Sequence, residues 1–323
     1  MPALLDRYRG ALLGLACGDA LGTTLEFRPP GTFAPITDMA GGGPFGLQPG
    51  QWTDDTSMAI ALAESLMERG GFDACDQMNR YVHWWREGYA SSTGECFDIG
   101  NTVRAALSRY ERSGHPMSGL DNPRSAGNGS LMRLVPVPLA YRKTPVQAHA
   151  AAQASSRTTH AAQECLDACR LWTGYILAAL QGAGRSEILE CPWRELPGFV
   201  AGDTLAPRIE AIAQGSFRQS EPPAIRGTGY VAESLEAALW AFDRSDDFRE
   251  GALLAANLGD DADTTAAIFG QLGGVFYGES GIPETWRTRL WQHDRIAGLG
   301  DALLQLSNAA PSGVRTMEPP QAR

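Results

Sequence analysis

Two short acidic segments carry the residue types that bind divalent metal ions. WTDDT (52–56) places Asp54 and Asp55 between two threonines, and GDDADTT (259–265) holds three aspartates followed by two threonines. Each segment directly precedes an apolar run, so one interpretation is helix capping, with Thr53 as an N-cap and the aspartates in the first helical turn. Capping alone explains poorly why both segments carry more carboxylates than a helix end requires.

Carboxylates from the two segments would repel one another if the fold brought both helix N-termini together. A divalent cation would neutralise them, and oxygen ligands without histidine or cysteine in either segment favour Mg²⁺ or Mn²⁺ over zinc. The aspartates and threonines offer enough oxygen atoms for two neighbouring ions. The two segments therefore predict a binuclear Mg²⁺ or Mn²⁺ site.

Three further segments could contribute to the same site. Glu26 follows a glycine-rich helix end in GDALGTTLEF, Asp98 precedes Gly-Asn-Thr in CFDIGNTVRAAL, and residues 126–133 read AGNGSLMR. The backbone N–H groups of such a glycine-containing loop can bind phosphate oxygens. The alternative interpretations are a solvated glutamate, a helix cap and an ordinary turn. The sequence has no Walker or GxGxxG motif, so those modes of nucleotide binding are not predicted.

Helices must position these segments. Apolar residues recur at three- and four-residue intervals over 56–70, 161–180, 229–242 and 264–278, which is the periodicity of an α-helix with a buried face. No set of alternating strands lies between them, so we expect an α-helical domain rather than a doubly wound sheet. Loops rich in Gly, Pro or Ser are predicted at 28–51, 110–130 and 192–228.

The first predicted helix carries a glycine every four residues, at Gly10, Gly14 and Gly18. Each glycine costs up to about 1 kcal/mol relative to alanine, so we expect a neighbour to approach this face closely. Close helix packing is favoured over the approach of a ligand. At the other end, residues 309–323 are poor in apolar side chains and are predicted to be disordered, which leaves residues 1–308 as a single domain.

Composition limits the classes of partner. The chain has 323 residues, 43% hydrophobic and 20% charged, with a net charge of −10 and a pI near 5.0. This balance argues against binding to nucleic acid or to an anionic membrane. The apolar N-terminal run is short and contains glycines, and the six cysteines lack CxxC pairs, which predicts reduced thiols in a cytoplasmic protein. Nothing in the sequence requires more than a monomer.

Taken together, the motifs resemble those of the ADP-ribosylglycohydrolase family. GDALGTTLEF, PGQWTDDT, FDIGNT, GNGSLMR, SRTTHA and GDDADTT follow in the family's order over most of the chain. The bacterial branch, which includes the dinitrogenase reductase-activating glycohydrolase, is the most similar. The resemblance implies a compact, orthogonal all-α bundle with a binuclear metal cleft. It also implies metal-dependent hydrolysis of the bond between ADP-ribose and a protein side chain, commonly arginine, so the partner would be an ADP-ribosylated protein.

The resemblance further implies roles for individual residues. Asp98 and Glu26 would act in catalysis, with Asp98 in proton transfer. The implied metal ligands are Thr53, Asp54, Asp55, Asp261, Asp263 and Thr264. The implied ADP-ribose-binding residues are Asn101, Gly127, Asn128, Gly129, Ser130, Met132 and His160. Asp260 replaces a glycine often present in the family and is left outside the ligand set. The motif leaves open whether Arg133 contacts the ligand or holds the loop.

Alternatives to an arginine-directed hydrolase remain open. The same fold could hydrolyse another ADP-ribose linkage, such as serine-linked or O-acetyl-ADP-ribose, although the DIGNT segment favours arginine. The protein could also bind ADP-ribose without catalysis, as family members co-opted as lens crystallins indicate, but this chain retains every matched ligand. A two-metal phosphoesterase is disfavoured because both acidic segments lack histidine.

Overall fold

The computed structural model describes residues 2–316, and helices dominate it. The α-helices in this part of the chain are α1 (Leu4–Gly22), α2 (Asp54–Arg69), α3 (Ala74–Glu87), α4 (Asn101–Ser113), α5 (Pro136–Ala140), α6 (Pro145–Arg157), α7 (Gln163–Leu180), α8 (Arg185–Leu189), α9 (Pro207–Ala213), α10 (Val231–Arg244), α11 (Phe248–Ala256), α12 (Ala262–Tyr277), α13 (Glu284–Arg289) and α14 (His293–Ala309). Two short strands, β1 (Gly71–Asp73) and β2 (Ser312–Arg315), pair in parallel. The all-α prediction is confirmed.

The four predicted helical runs correspond to α2, α7, α10 and α12, with each end within two residues of its predicted position. α7 and α12 are buried along nearly their whole length, as expected for helices that are apolar on most faces. Two of the predicted loops were wrong in part: α9 forms within 192–228, and residues 110–113 at the start of the loop predicted at 110–130 belong to α4. Among residues 2–316, no helix has the length and apolar character needed to cross a bilayer.

Close packing between α1 and α12 forms the centre of the fold and sets the position of the site. The backbone of α12 lies so near α1 that a Cβ atom added at Gly18 would be 2.1 Å from the Ala266 carbonyl oxygen. Gly10 and Gly14 have equally close neighbours in Gly274 and Gly270. The predicted cause of the glycine repeat, close helix packing, is confirmed.

The prediction of disorder from residue 309 onwards was wrong for residues 312–315. These residues form β2 beside β1, where the Ser312 N–H donates to the Gly70 carbonyl at 2.6 Å and the Tyr141 hydroxyl donates to the Ser312 carbonyl at 3.0 Å. Backbone hydrogen bonds stabilise a strand of any composition, so low apolar content was a poor guide. The rest of the predicted tail, residues 317–323, lies outside the described residues.

Candidate active site

Three helices begin at one cleft of about 780 Å³. The N-termini of α2, α4 and α12 point into it, and the positive ends of their dipoles favour negative charge there. The loop that contains Gly127 and the segment after α1 complete the walls. The residues that line the cleft include Glu26, Asp54, Asp98, Asn101, Gly127, Asn128, Gly129, Met132, His160, Asp261 and Thr264.

The fold brings the two acidic segments into direct contact at the base of the cleft. The Thr53 hydroxyl lies 3.2 Å from an Asp55 carboxyl oxygen and 3.1 Å from an Asp263 oxygen. The Thr264 hydroxyl lies 3.4 Å from the same Asp55 oxygen. Thr53 and Asp261 occupy the N-cap positions of α2 and α12, but neither side chain makes a capping hydrogen bond. Helix capping therefore does not account for these side chains.

Asp19, for which the sequence predicted no role, fixes the start of α2 from the neighbouring helix α1. One of its oxygens accepts from the Thr53 N–H and hydroxyl, both at 2.9 Å. The other accepts from the Thr56 N–H at 3.0 Å and hydroxyl at 2.6 Å. Because both oxygens are fully used by α2, Asp19 positions Thr53 rather than offering a free ligand atom. The available signal was a lone carboxylate in the apolar stretch LLGLACGDALG.

The carboxyl oxygens form two groups that share Asp263. One oxygen each from Asp19, Asp55 and Asp263 lie within 4.8 Å of one another, and so do one oxygen each from Glu26, Asp98 and Asp263. The Oδ1 atom of Asp55 is buried and accepts no hydrogen bond from any described residue. A buried carboxylate oxygen without a partner is costly unless a cation contacts it. The all-oxygen donor set and this unpartnered atom fit a hard divalent ion.

Burial and mutual repulsion shift the acidity of these carboxyl groups. Burial is the larger cause and the charge of Asp263 the next, and together they raise the pKa of Asp98 to about 11 and the pKa values of Asp19 and Asp261 to about 7. The same two causes raise the pKa of Glu26 well above its usual range. A nearby positive charge would favour the ionised form of such groups, which agrees with a cation site.

Asn128 connects the glycine loop to the acidic cluster. Its side-chain amide donates to Asp261 at 2.7 Å and to the Ser234 hydroxyl at 2.9 Å, and its backbone N–H donates to the Gly229 carbonyl at 3.1 Å. These bonds fix the orientation of the Asp261 carboxyl. They also mean that Asn128 acts on a predicted metal ligand, whereas the resemblance had implied a role only toward ADP-ribose.

His160 packs directly against the same loop. A Cβ atom added at Gly129 would lie 2.8 Å from the His160 ring, so only glycine fits there. Burial, followed by the charge of Arg133, lowers the pKa of His160 to about 3, and the ring is therefore neutral. Arg133 donates to the Thr159 hydroxyl at 2.7 Å, and the oxygen of that hydroxyl lies 2.9 Å from His160 Nδ1. The Nε2 atom of the ring faces the loop, where it would lie 3.3 Å from a Cβ atom added at Gly127.

The structure answers the open question about Arg133 and separates Ser130 from the cleft. Arg133 is fully buried, with its guanidinium 4.6 Å from the centre of the Tyr81 ring, so it holds the loop and does not line the cleft. The Ser130 hydroxyl accepts from Ser156 at 2.8 Å and from Cys169 at 3.6 Å, on the side away from the cleft. The N–H groups of Gly129 and Ser130 donate no hydrogen bond within the described residues.

Residues with a positive φ are concentrated at the same cleft. Six described residues other than glycine have a positive φ, and three of them, Phe27 (60°), Asp98 (57°) and Asp260 (54°), line the cleft. Because Asp260 has a positive φ, which glycine adopts most readily, a glycine would also suit position 260. Beyond Asp260 and Arg226 the cleft adjoins a larger groove of about 1170 Å³, lined mainly by prolines and aliphatic side chains. None of the predicted site residues lines the described part of that groove.

The fold and the acidic cleft define the class of protein. A model of the ADP-ribosylglycohydrolase family matches residues 1–312, so the chain belongs to this family and the predicted resemblance is confirmed. A solved structure described as an ADP-ribosylglycohydrolase-related protein complex superposes with a TM-score of 0.83 at 43% identity, covering 94% of this chain and 99% of that one.

The chain is also similar to individually named bacterial proteins. It is 43% identical to the ADP-ribosylarginine hydrolase Tri1 of Serratia proteamaculans (strain 568), covering 94% of this chain and 80% of that protein. It is 44% identical to the protein of the same name from Pseudomonas putida (strain GB-1), covering 93% and 78% respectively. The ADP-ribosyl dinitrogen reductase glycohydrolase of Rhodospirillum rubrum is 33% identical, with 90% and 92% covered.

Proposed function

We propose that this protein is a hydrolase that removes ADP-ribose from ADP-ribosylated arginine side chains of proteins. The observation that carries the proposal is the presence of two clusters of carboxyl oxygens at the base of the cleft, both of which include Asp263. They occur in a member of the ADP-ribosylglycohydrolase family. Two relatives at 43% and 44% identity are named ADP-ribosylarginine hydrolases, which supports arginine as the linkage.

We propose that two divalent ions, Mg²⁺ or Mn²⁺, bind at this base. The side chains that would hold them are Thr53, Asp54, Asp55, Asp261, Asp263 and Thr264. Asp263 belongs to both groups of oxygen atoms, so it is the natural shared ligand, and the unpartnered oxygen of Asp55 supports its assignment. When bound, such ions neutralise the carboxylates and stabilise negative charge on nearby substrate oxygens.

The reaction adds the hydroxyl of water to the ribose anomeric carbon and breaks the bond from that carbon to the guanidinium nitrogen. The bonding electrons stay with nitrogen, so the leaving group is a neutral guanidine that then takes up the proton lost by water. Asp98 and Glu26, whose carboxyl oxygens lie together, are placed to accept and deliver this proton. Anionic oxygens beside the anomeric carbon also stabilise its developing oxocarbenium character.

The remaining predicted residues would hold ADP-ribose. The unused N–H groups of Gly129 and Ser130 can donate to phosphate oxygens, so Ser130 would act through its backbone rather than its side chain. The His160 ring and the Asn101 side chain are further hydrogen-bonding groups at the cleft wall, and Gly127 and Met132 shape that wall. Asn128 would act chiefly through Asp261.

We further propose a cytoplasmic monomer with a single domain over residues 1–308. Its partner would be the ADP-ribosylated protein, and the net charge of −10 disfavours nucleic acid or an anionic membrane as partners.

The function is tested with one protein ADP-ribosylated on arginine and another on serine, each incubated with the purified enzyme. Parallel reactions contain Mg²⁺, Mn²⁺ or EDTA, and free ADP-ribose is quantified. We expect release from arginine in the presence of metal only. Release from serine alone would contradict the linkage, and binding of ADP-ribose without any release would contradict the assignment as an enzyme.

A further inference from the structure

Phe27 presents an aromatic ring to the catalytic cleft in a conformation that needs explanation. Its side chain is 63% exposed, yet it lines the cleft directly after Glu26. Its φ of 60° is strained for a bulky residue, and its N–H donates to the Asp260 carbonyl at 2.7 Å. An isolated exposed phenylalanine is unremarkable on a protein surface, but strained residues held by specific hydrogen bonds concentrate at functional sites.

Two other phenylalanines support this ring. Phe45 lies edge-on to Phe27 with ring centres 6.2 Å apart, and Phe97 lies 5.2 Å from Phe45. Phe97 immediately precedes Asp98 in the chain, just as Phe27 follows Glu26. The two carboxyl groups placed to transfer protons therefore sit beside one continuous aromatic cluster, and only the Phe27 ring of that cluster lines the cleft.

Most of the charged side chains around Phe27 are carboxyl groups, which attract a cation. The carboxyl groups of Glu26, Asp98 and Asp260 line the cleft near it. Arg226 is the guanidinium at this end of the described cleft, and it faces Asp260 at 3.9 Å. His160 lines the glycine-loop wall and is neutral. An aromatic face next to carboxylates attracts a cation through its quadrupole as well as through charge.

We propose that Phe27 binds the guanidinium group of the modified arginine through its ring face and thereby selects a substrate whose modified side chain is cationic over one whose modified side chain is neutral. This inference rests on the proposed function, because the leaving group must reach Glu26 and Asp98 to receive its proton. A guanidinium is planar and weakly hydrated, and it stacks on aromatic rings. A serine hydroxyl or an acetyl ester has no charge for the ring to attract, so Phe27 is a specificity-determining residue.

Fluorination of the ring tests the proposal, because fluorine withdraws electron density from the face while keeping the shape of phenylalanine. Position 27 is filled with phenylalanine carrying one, two or three fluorine atoms. The affinities of Nα-acetyl-arginine amide and its neutral counterpart Nα-acetyl-citrulline amide are measured by NMR titration with ADP-ribose and Mg²⁺ present. Phe27→Leu and Trp291→Leu complete the set, since Trp291 is an exposed aromatic side chain that does not line the cleft.

We expect stepwise loss of affinity for the arginine compound, reaching about twofold to thirtyfold with three fluorines, and a constant affinity for the citrulline compound. Phe27→Leu should resemble the most fluorinated ring, and Trp291→Leu should resemble the wild type. Equal losses for both compounds, no loss, or no binding of the arginine compound to the wild type would overturn the inference. Turnover of arginine-linked substrate by the wild type tests the proposed function separately: if turnover persists while fluorination has no effect, only the role of Phe27 is wrong.

Discussion

Replacing Gly18 by alanine tests the close packing that positions the acidic cluster. The added Cβ would lie 2.1 Å from the Ala266 carbonyl oxygen and 2.5 Å from its carbon. Ordinary van der Waals contact begins near 3.4 Å, so α12 must move away from α1 by about 1.3 Å, the difference between these distances. Both opposing atoms belong to the backbone and cannot rotate aside.

The expected cost follows from two opposing terms. Overpacking a well-packed interior costs about 1–3 kcal/mol, and a backbone clash belongs at the upper end. Alanine regains up to about 1 kcal/mol through its higher helix propensity. We therefore expect the free energy of unfolding to fall by about 2 kcal/mol. The affinity for Mn²⁺ should fall as well, because α12 carries Asp261 and Asp263 at its start.

The assay is urea unfolding followed by circular dichroism, in EDTA so that bound metal does not contribute to stability. Gly298→Ala is the matched control, because Gly298 lies in α14 and a Cβ there would meet nothing within 4 Å. This control should raise stability by about 0.5–1 kcal/mol. A Gly18→Ala midpoint equal to or above that of the wild type would refute the packing argument.

Three other substitutions test separate parts of the site and the fold. Asp98→Asn should reduce turnover by at least about a hundredfold by removing a proton-transfer group; near-normal turnover would remove Asp98 from that role. Arg133→Lys should raise KM about threefold to tenfold, since a lost bond to Thr159 costs about 1 kcal/mol and frees His160; an unchanged KM would contradict this. Burial, followed by the charge of Arg170, lowers the pKa of His149 to about 4. The unfolded chain therefore gains a proton first as pH falls below about 6.5, and His149→Gln should remove about 3 kcal/mol of acid destabilisation between pH 6.5 and 4. Identical stability–pH curves would exclude that effect.

The helices and their close packing could be predicted because their signals are local. Apolar periodicity located α2 and α12 to within two residues, and the cost of a glycine at every fourth position of α1 required a close neighbour. The order of motifs identified the family. In each case, residues adjacent in sequence or on one helix face carried the information.

The role of Asp19 could not be read in the same way. Its partners, Thr53 and Thr56, lie more than thirty residues away, and only the fold shows that both of its oxygens are occupied. The orientation of Ser130 away from the cleft is likewise a tertiary result, set by Ser156 on helix α6. Strand β2 forms through backbone pairing with a distant segment, which composition does not reveal.

Counting bound Mn²⁺ tests the central claim most directly. Equilibrium binding, with ADP-ribose release measured on the same samples, is compared between the wild type and Asp263→Ala. Asp263 contributes a carboxyl oxygen to both clusters of acidic oxygens. We therefore expect two ions per wild-type chain, and we expect the variant to lose both ions and turnover. Turnover by a metal-free wild type, or full turnover by Asp263→Ala, would contradict it.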